Sequence, residues 1–496
     1  MSPQKSQQIV DKILSSEIFS SIDKNALIEK YDITKDIYNF NSKITTCKNA
    51  QTQSSLTIDN IPPAGITINT PGTYTFSNNI VWQPNDCCIA ITIQCNNVTI
   101  NLNNYCLTVE NTDASKNIIG ISIESPDSTT MLDTIEIING TLYNVGLYGI
   151  GAQNTTSLSI ENIAIQNIRY KNLETSNVTP SGIHISKAEG VTITNCVVSD
   201  LNVTSSSCSG IQLLETKGAT LSGCKLSNFV NNDGSAQGYS FVKCESITCT
   251  SCSASNFESS YQGITQTLGH TVIGFCPWLC YNLNILDCEA TNMTGCCDDC
   301  HGMSIFLDMD VTVQNFHAEN ILDGYKTNTG AKATGLEVYG IGVNITDCTV
   351  KNIKAIVPQD LQSTGFSAWG TLINFTNCTA TDVQVLDATQ KPDTAYGYGT
   401  GFGWAPDPRW EFRYIGALWV KYDGCQSNDC QVGFDTWYHI DSTWENNISA
   451  KNCGVPILVQ PDGKRTLSGN KCSECNPPIS TTLTNIARNN TYPKWG

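Results

Sequence analysis

Apolar and polar residues alternate with a period of two through most of the chain after about residue 91, and the alternation restarts at intervals on a glycine. The restarts read GISIE at Gly120, GIGAQ at Gly149, GIHIS at Gly182, GIQLL at Gly210, GYSFV at Gly238 and GITQT at Gly263. They continue as GMSIF at Gly302, GLEVY at Gly335, GFSAW at Gly365, GFGWA at Gly401 and GFDTW at Gly433. The mean interval is about 31 residues, within the range of solenoid repeats. Period-two alternation fits strands with one buried face, and the opening glycine fits a corner that a Cβ would obstruct.

The second half of each repeat is as regular as the first. ITNCVVSDL, LSGCKLSNF, ILDCEATNM, ITDCTVKNI and FTNCTATDV align a column of Cys196, Cys224, Cys252, Cys288, Cys348, Cys378 and Cys425. Four residues later a polar column holds Asp200, Asn228, Asn256, Asn292, Asn352, Asp382 and Asp429, the pattern of an amide ladder between coils. The cysteines could be disulfides, metal ligands or small buried hydrophobes. In-register side chains on stacked coils keep their Cβ atoms about 4.8 Å apart, where a disulfide wants roughly 3.5–4.5 Å, so free buried thiols are expected.

The pattern predicts an all-β chain, a right-handed parallel β-helix whose core grows in one dimension. The segment ITINTPGTYTFSNNIVWQP followed by CNNVTINLNNYCLTV (Cys95–Val109) resembles the first coils of pectin-lyase-like right-handed β-helix proteins. The resemblance covers about residues 62–460. It implies a fold and leaves activity open, because this superfold carries lyases, glycosidases, epimerases, phage tailspikes and adhesins. The Cys- and Asn-rich character also resembles β-helix proteins encoded by giant DNA viruses of protists.

The ends read differently. Ile9, Val10, Ile13, Leu14, Ile18, Ile22 and Leu27 recur at helical spacing. Residues 1–56 are therefore expected to form a helical N-terminal cap or attachment segment with a linker, since an open solenoid end exposes apolar surface and strand edges. Attachment through it would make a homotrimer or larger assembly. The β-helix is expected over 57–460 and an irregular C-terminal cover over 461–496.

Only 15% of residues are charged and the formal net charge is −17, which excludes nucleic acid as a partner. No apolar run is long enough to span a membrane. The N-terminus shows no secretory h-region or cleavage pattern, so synthesis in the cytoplasm is expected, with incorporation into a virion or surface structure.

Candidate chemistry sits in columns. Residues at +2 and +4 from each opening glycine face outward, and the +4 column turns aromatic at Phe306, Tyr339, Trp369 and Trp437, with Glu337 and Asp435 in the +2 column. Aromatic faces spaced along a solenoid suit the rings of a carbohydrate chain, and carboxylates accept from its hydroxyls. Burial of the same rings under long loops is the structural alternative. Glu337 and Asp435 lie three coils apart, about 14 Å at about 4.8 Å per coil; an inverting carboxylate pair wants roughly 6.5–9.5 Å.

Other clusters offer alternatives. Cys297 and Cys300 beside His301 could ligate Zn²⁺, and Asp308 and Asp310 could hold Ca²⁺; a local disulfide is equally available, and no other cofactor signature is present. Asp407, Arg409 and Arg413 form a charged loop that could supply a lyase with its base, or simply a surface ion-pair loop. The expected function is a rigid, non-catalytic, surface- or virion-associated carbohydrate binder. The alternative is a polysaccharide lyase or glycoside hydrolase.

Overall fold

The computed structural model describes residues 55–473 with interruptions, the longest at 172–178, 261–270, 325–331, 357–362, 390–398, 404–416 and 459–464. The proposed cap at 1–56 lies almost wholly outside the described residues, as does most of the C-terminal segment.

Every strand pairing is parallel, and each strand pairs with its equivalents in the coils before and after. One coil shows the plan. Ser207–Leu214 carries the opening glycine, Lys217–Ser222 forms the second face and Lys225–Asn231 the third. Their partners one coil on are Ser235–Val242, Glu245–Thr250 and Ser253–Ser259. The chain is thus a parallel β-helix of three-faced coils. Parallel strands joined by crossovers take the right-handed path almost without exception. No helix among the described residues is long and apolar enough to cross a membrane.

The opening glycines form a vertical file. A Cβ on Gly182 would lie 2.8 Å from the carbonyl oxygen of Gly210 and 2.4 Å from Val198 Cγ1; on Gly302 it would lie 2.5 Å from the Gly335 oxygen and 2.7 Å from the Ala318 Cβ. The glycine position therefore turns toward the core, as does the residue after it, and only a residue without a side chain fits there.

Inside, aliphatic and aromatic side chains stack on their equivalents. Phe229 and Phe257 lie with centroids 4.2 Å apart at 5°, and Phe366 and Phe402 at 4.8 Å and 9°. Such offset pairs add about 0.5–1.5 kcal/mol each beyond area burial. The cysteine column occupies a corner of this core, all seven members buried and free.

The polar column is a hydrogen-bonded ladder. Asn228 Nδ2 donates to Asp200 Oδ1 at 3.0 Å, Asn256 to Asn228 at 3.1 Å, Asn292 to Asn256 at 3.0 Å, Asn320 to Asn292 at 2.8 Å and Asn352 to Asn320 at 2.6 Å. All six carry φ between 55° and 60°. Asn and Asp tolerate this left-handed conformation best among residues with a Cβ, which explains why the corner selects them.

Candidate functional site

The strand face that carries the glycine file builds the site. Register places Val242, Trp278, Phe306, Tyr339 and Trp369 at one position of five consecutive coils. The fourth-last opening in this run is therefore Gly274, which pairs between Gly238 and Gly302; the GITQT phrase at Gly263 lies outside the described residues. Four aromatics stand in line. Ring centroids are 6.2 Å apart for Trp278–Phe306, 5.1 Å for Phe306–Tyr339 and 5.8 Å for Tyr339–Trp369. Exposure grades along the run: Trp278 is 45% exposed, Phe306 and Tyr339 are half-buried, and Trp369 is 5% exposed.

Beside the aromatics lies a polar foot. Because the glycine and the residue after it both turn inward, side chains flanking the corner project together on the outer side. His301, just before Gly302, brings Nδ1 to 3.8 Å from Glu337 Oε2, which belongs to the next coil. Lys332 Nζ forms a close ion pair with Glu337 Oε1, and Ser304 Oγ donates to Glu337 Oε2 at 3.4 Å. Asp299 is the register partner of Lys332. Asp299, His301, Ser304 and Lys332 are all less than 9% exposed. These residues and Thr271, Ile273, Phe306, Tyr339 and Trp369 line one pocket of about 110 Å³.

Two buried aspartates brace it from behind. Asp323 Oδ2 accepts from the Lys332 backbone N–H at 2.8 Å and Oδ1 from that of Gly324 at 2.9 Å, fixing where the Lys332 strand begins. Asp308 accepts from the backbone N–H of Phe306 at 3.0 Å and from that of Cys280, next to a register shift between Phe306 and Asp308. Burial pushes the Asp308 carboxyl well above the usual carboxylate range.

The structure thus brings together Phe306, Tyr339, Trp369, Glu337 and His301 from the residues singled out by sequence. Asp435 lies three coils from Glu337 through Ser367 and Gly403, and is 1% exposed. Cys300 points into the apolar core, on the opposite side of its strand from His301. Asp310 sits at a left-handed corner with φ 57°. Trp437, Cys297, Asp407, Arg409 and Arg413 lie outside the described residues. Trp278, Ser304 and Lys332 are site residues that the sequence pattern did not single out.

Chemically, the foot offers two carboxylates as acceptors and an ammonium, an imidazole and a hydroxyl as donors, beside apolar ring faces. That set matches a hydroxyl-rich ring, which needs both kinds of partner and an apolar face.

No protein-family model matches the chain, and no curated protein matches it. Similar solved structures include the catalytic domain of a GH87 alpha-1,3-glucanase in complex with nigerose, at 11% identity and a TM-score of 0.45, covering 82% of this chain and 64% of that one. A tailspike protein mutant of E. coli bacteriophage HK620 in complex with a pentasaccharide matches at 12% identity and a TM-score of 0.46, covering 84% of this chain and 71% of that one. Tailspike protein 3 of bacteriophage CBA120 matches at 9% identity and a TM-score of 0.37, covering 82% and 57%. The chain thus spans under two thirds of the glucanase domain's length, and these are likenesses of fold.

Proposed function

We propose that the face running from Trp278 to Trp369 binds a carbohydrate chain laid along the solenoid axis, with one residue of the chain seated in the polar foot. The supporting observation is the in-register aromatic line Trp278–Phe306–Tyr339–Trp369 flanked by Asp299, His301, Ser304, Lys332 and Glu337. Two carboxylates against one ammonium favour neutral over uronate-rich glycans, in keeping with a chain of net charge −17. A panel of neutral and uronate glycans, read by array and calorimetry, tests this. Binding to neutral oligosaccharides that is weakened in Phe306→Ala and in Tyr339→Ala supports the reading; equal binding by all three proteins rejects it.

A second reading rests on the depth of the foot. Asp299 and Glu337 are both largely withdrawn from solvent, as a general acid and its partner would be in a glycoside hydrolase. Release of reducing ends from any bound glycan, abolished in Asp299→Asn and in Glu337→Gln, separates an enzyme from a binder.

A further inference from the structure

A second cluster of reactive side chains lies away from that face, inside the core. Cys252 and Cys288 are successive members of the cysteine column, 1% exposed each. Cys249 belongs to the neighbouring strand Glu245–Thr250, in a file that holds Ile193, Leu221 and Ile285 in the adjoining coils. One coil thus carries sulfur where the others carry an aliphatic side chain, next to the column. The Sγ atoms of Cys249, Cys252 and Cys288 all lie within 4.8 Å of one another, and Cys249 and Cys288 are 4.0 Å apart. Among the described residues this is the one group of three such ligands so closely gathered.

We propose that Cys249, Cys252 and Cys288 form a three-sulfur site for a soft monovalent cation, Cu(I) by preference. Thiolates are the donors that soft cations select. Three sulfurs about 2.3 Å from a central ion stand about 4 Å apart, which the Cys249–Cys288 pair matches at 4.0 Å and the other two pairs approach within 4.8 Å. A tetrahedral Zn²⁺ would need a fourth ligand. The Tyr239 hydroxyl nearby already donates to the carbonyl oxygens of Cys224 and Ser253 at 2.8 and 3.2 Å.

Charge is the chief obstacle to any ion in an apolar core. A monovalent cation meets it with a balanced exchange: Cu(I) enters, one thiol proton leaves to solvent, and the site remains neutral. No electron is transferred. The departing proton comes from one of the three thiols, whose sulfurs already face one another within 4.8 Å. The two remaining thiols donate through sulfur lone pairs. Cys288 at present donates its proton to the carbonyls of Leu286 and Cys249, at 3.2 and 3.6 Å, so its sulfur is already positioned.

The test uses the full chain, reduced and anaerobic, titrated with Cu(I) supplied as its bicinchoninate complex. Wild type should withhold one more equivalent from the chelator than Cys249→Val or Cys288→Ala, while Cys348→Ala, in another part of the column, should match wild type. X-ray absorption of the loaded wild type should show a shell of three sulfurs. Each variant's thermal melt reports whether it folds. Equal retention by all four proteins, or a copper shell containing nitrogen or oxygen, overturns the proposal.

Discussion

Tyr339 and Trp369 hold the same position on consecutive coils, their ring centroids 5.8 Å apart and planes at 75°, yet Tyr339 is half-open to solvent while Trp369 is 5% exposed. One ring is available to a ligand; the other mainly supports it. Tyr339→Ala should weaken glycan binding about tenfold, about 1.4 kcal/mol, with little loss of stability. Trp369→Ala should cost about 3–5 kcal/mol of stability through the cavity it leaves. Calorimetric Kd and denaturant midpoints for both variants check the division.

The Lys332–Glu337 pair is withdrawn from water, with side chains 6% and 14% exposed. Removing one partner leaves an uncompensated charge. Lys332→Met is expected to destabilise by about 3–5 kcal/mol, and the double variant Lys332→Met/Glu337→Gln to recover much of that loss. Urea denaturation of the two singles and the double measures the coupling.

The glycine file can be probed by contrast. Gly302→Ala drives its Cβ to 2.5 Å from a backbone oxygen of the next coil, whereas in Gly151→Ala the nearest atom is a Tyr148 ring carbon at 3.2 Å. The first should lower soluble yield and melting temperature sharply, the second by a degree or two at most. Similar melting for both would disprove the claim that the corner demands glycine.

His184 carries a pH signature. Burial holds its imidazole below the usual range, against a smaller upward push from its hydrogen bond with Gln212 at 2.8 Å, and it stacks on Tyr148 at 4.6 Å. As pH falls through about 6.5 the unfolded chain takes up this proton before the folded one. The stability His184 contributes is therefore present above that pH and lost below it, down to the folded value. His184→Gln should lose less stability than wild type between pH 7.5 and pH 5, read from denaturant midpoints at the two pH values.

The repeat was legible because a parallel β-helix prints its register in the sequence: period-two alternation, a glycine at the corner, Asn or Asp at a left-handed turn. The Asn228–Asn352 ladder and the Phe306–Tyr339–Trp369 line could be read directly. One rung was misread, since GITQT at Gly263 imitates an opening and the true one, at Gly274, begins with the unremarkable GFCPW. A signal existed: Cys280 stands two residues after Trp278 as Cys244 stands two after Val242. The foot was not legible. Asp299 and Lys332 lie three residues before their glycines; Lys332 reaches Glu337 across the glycine corner of its own strand, and Asp299 joins them in one pocket from the coil before, a juxtaposition that alternation alone does not reveal.

The amide ladder has a direction. Every Nδ2 in it donates toward the N-terminal side, and aspartate, which can only accept, stands where a file begins: Asp200 beneath Asn228 and, at the corner just before the cysteine column, Asp287 beneath Asn315 and Asp347 beneath Asn377. Spontaneous deamidation of Asn256 would set a carboxylate against the Asn228 carbonyl oxygen and cut its file in two. The molecule's shelf life is therefore written in which asparagines hydrolyse first, and an aged sample should come apart at the interior rungs.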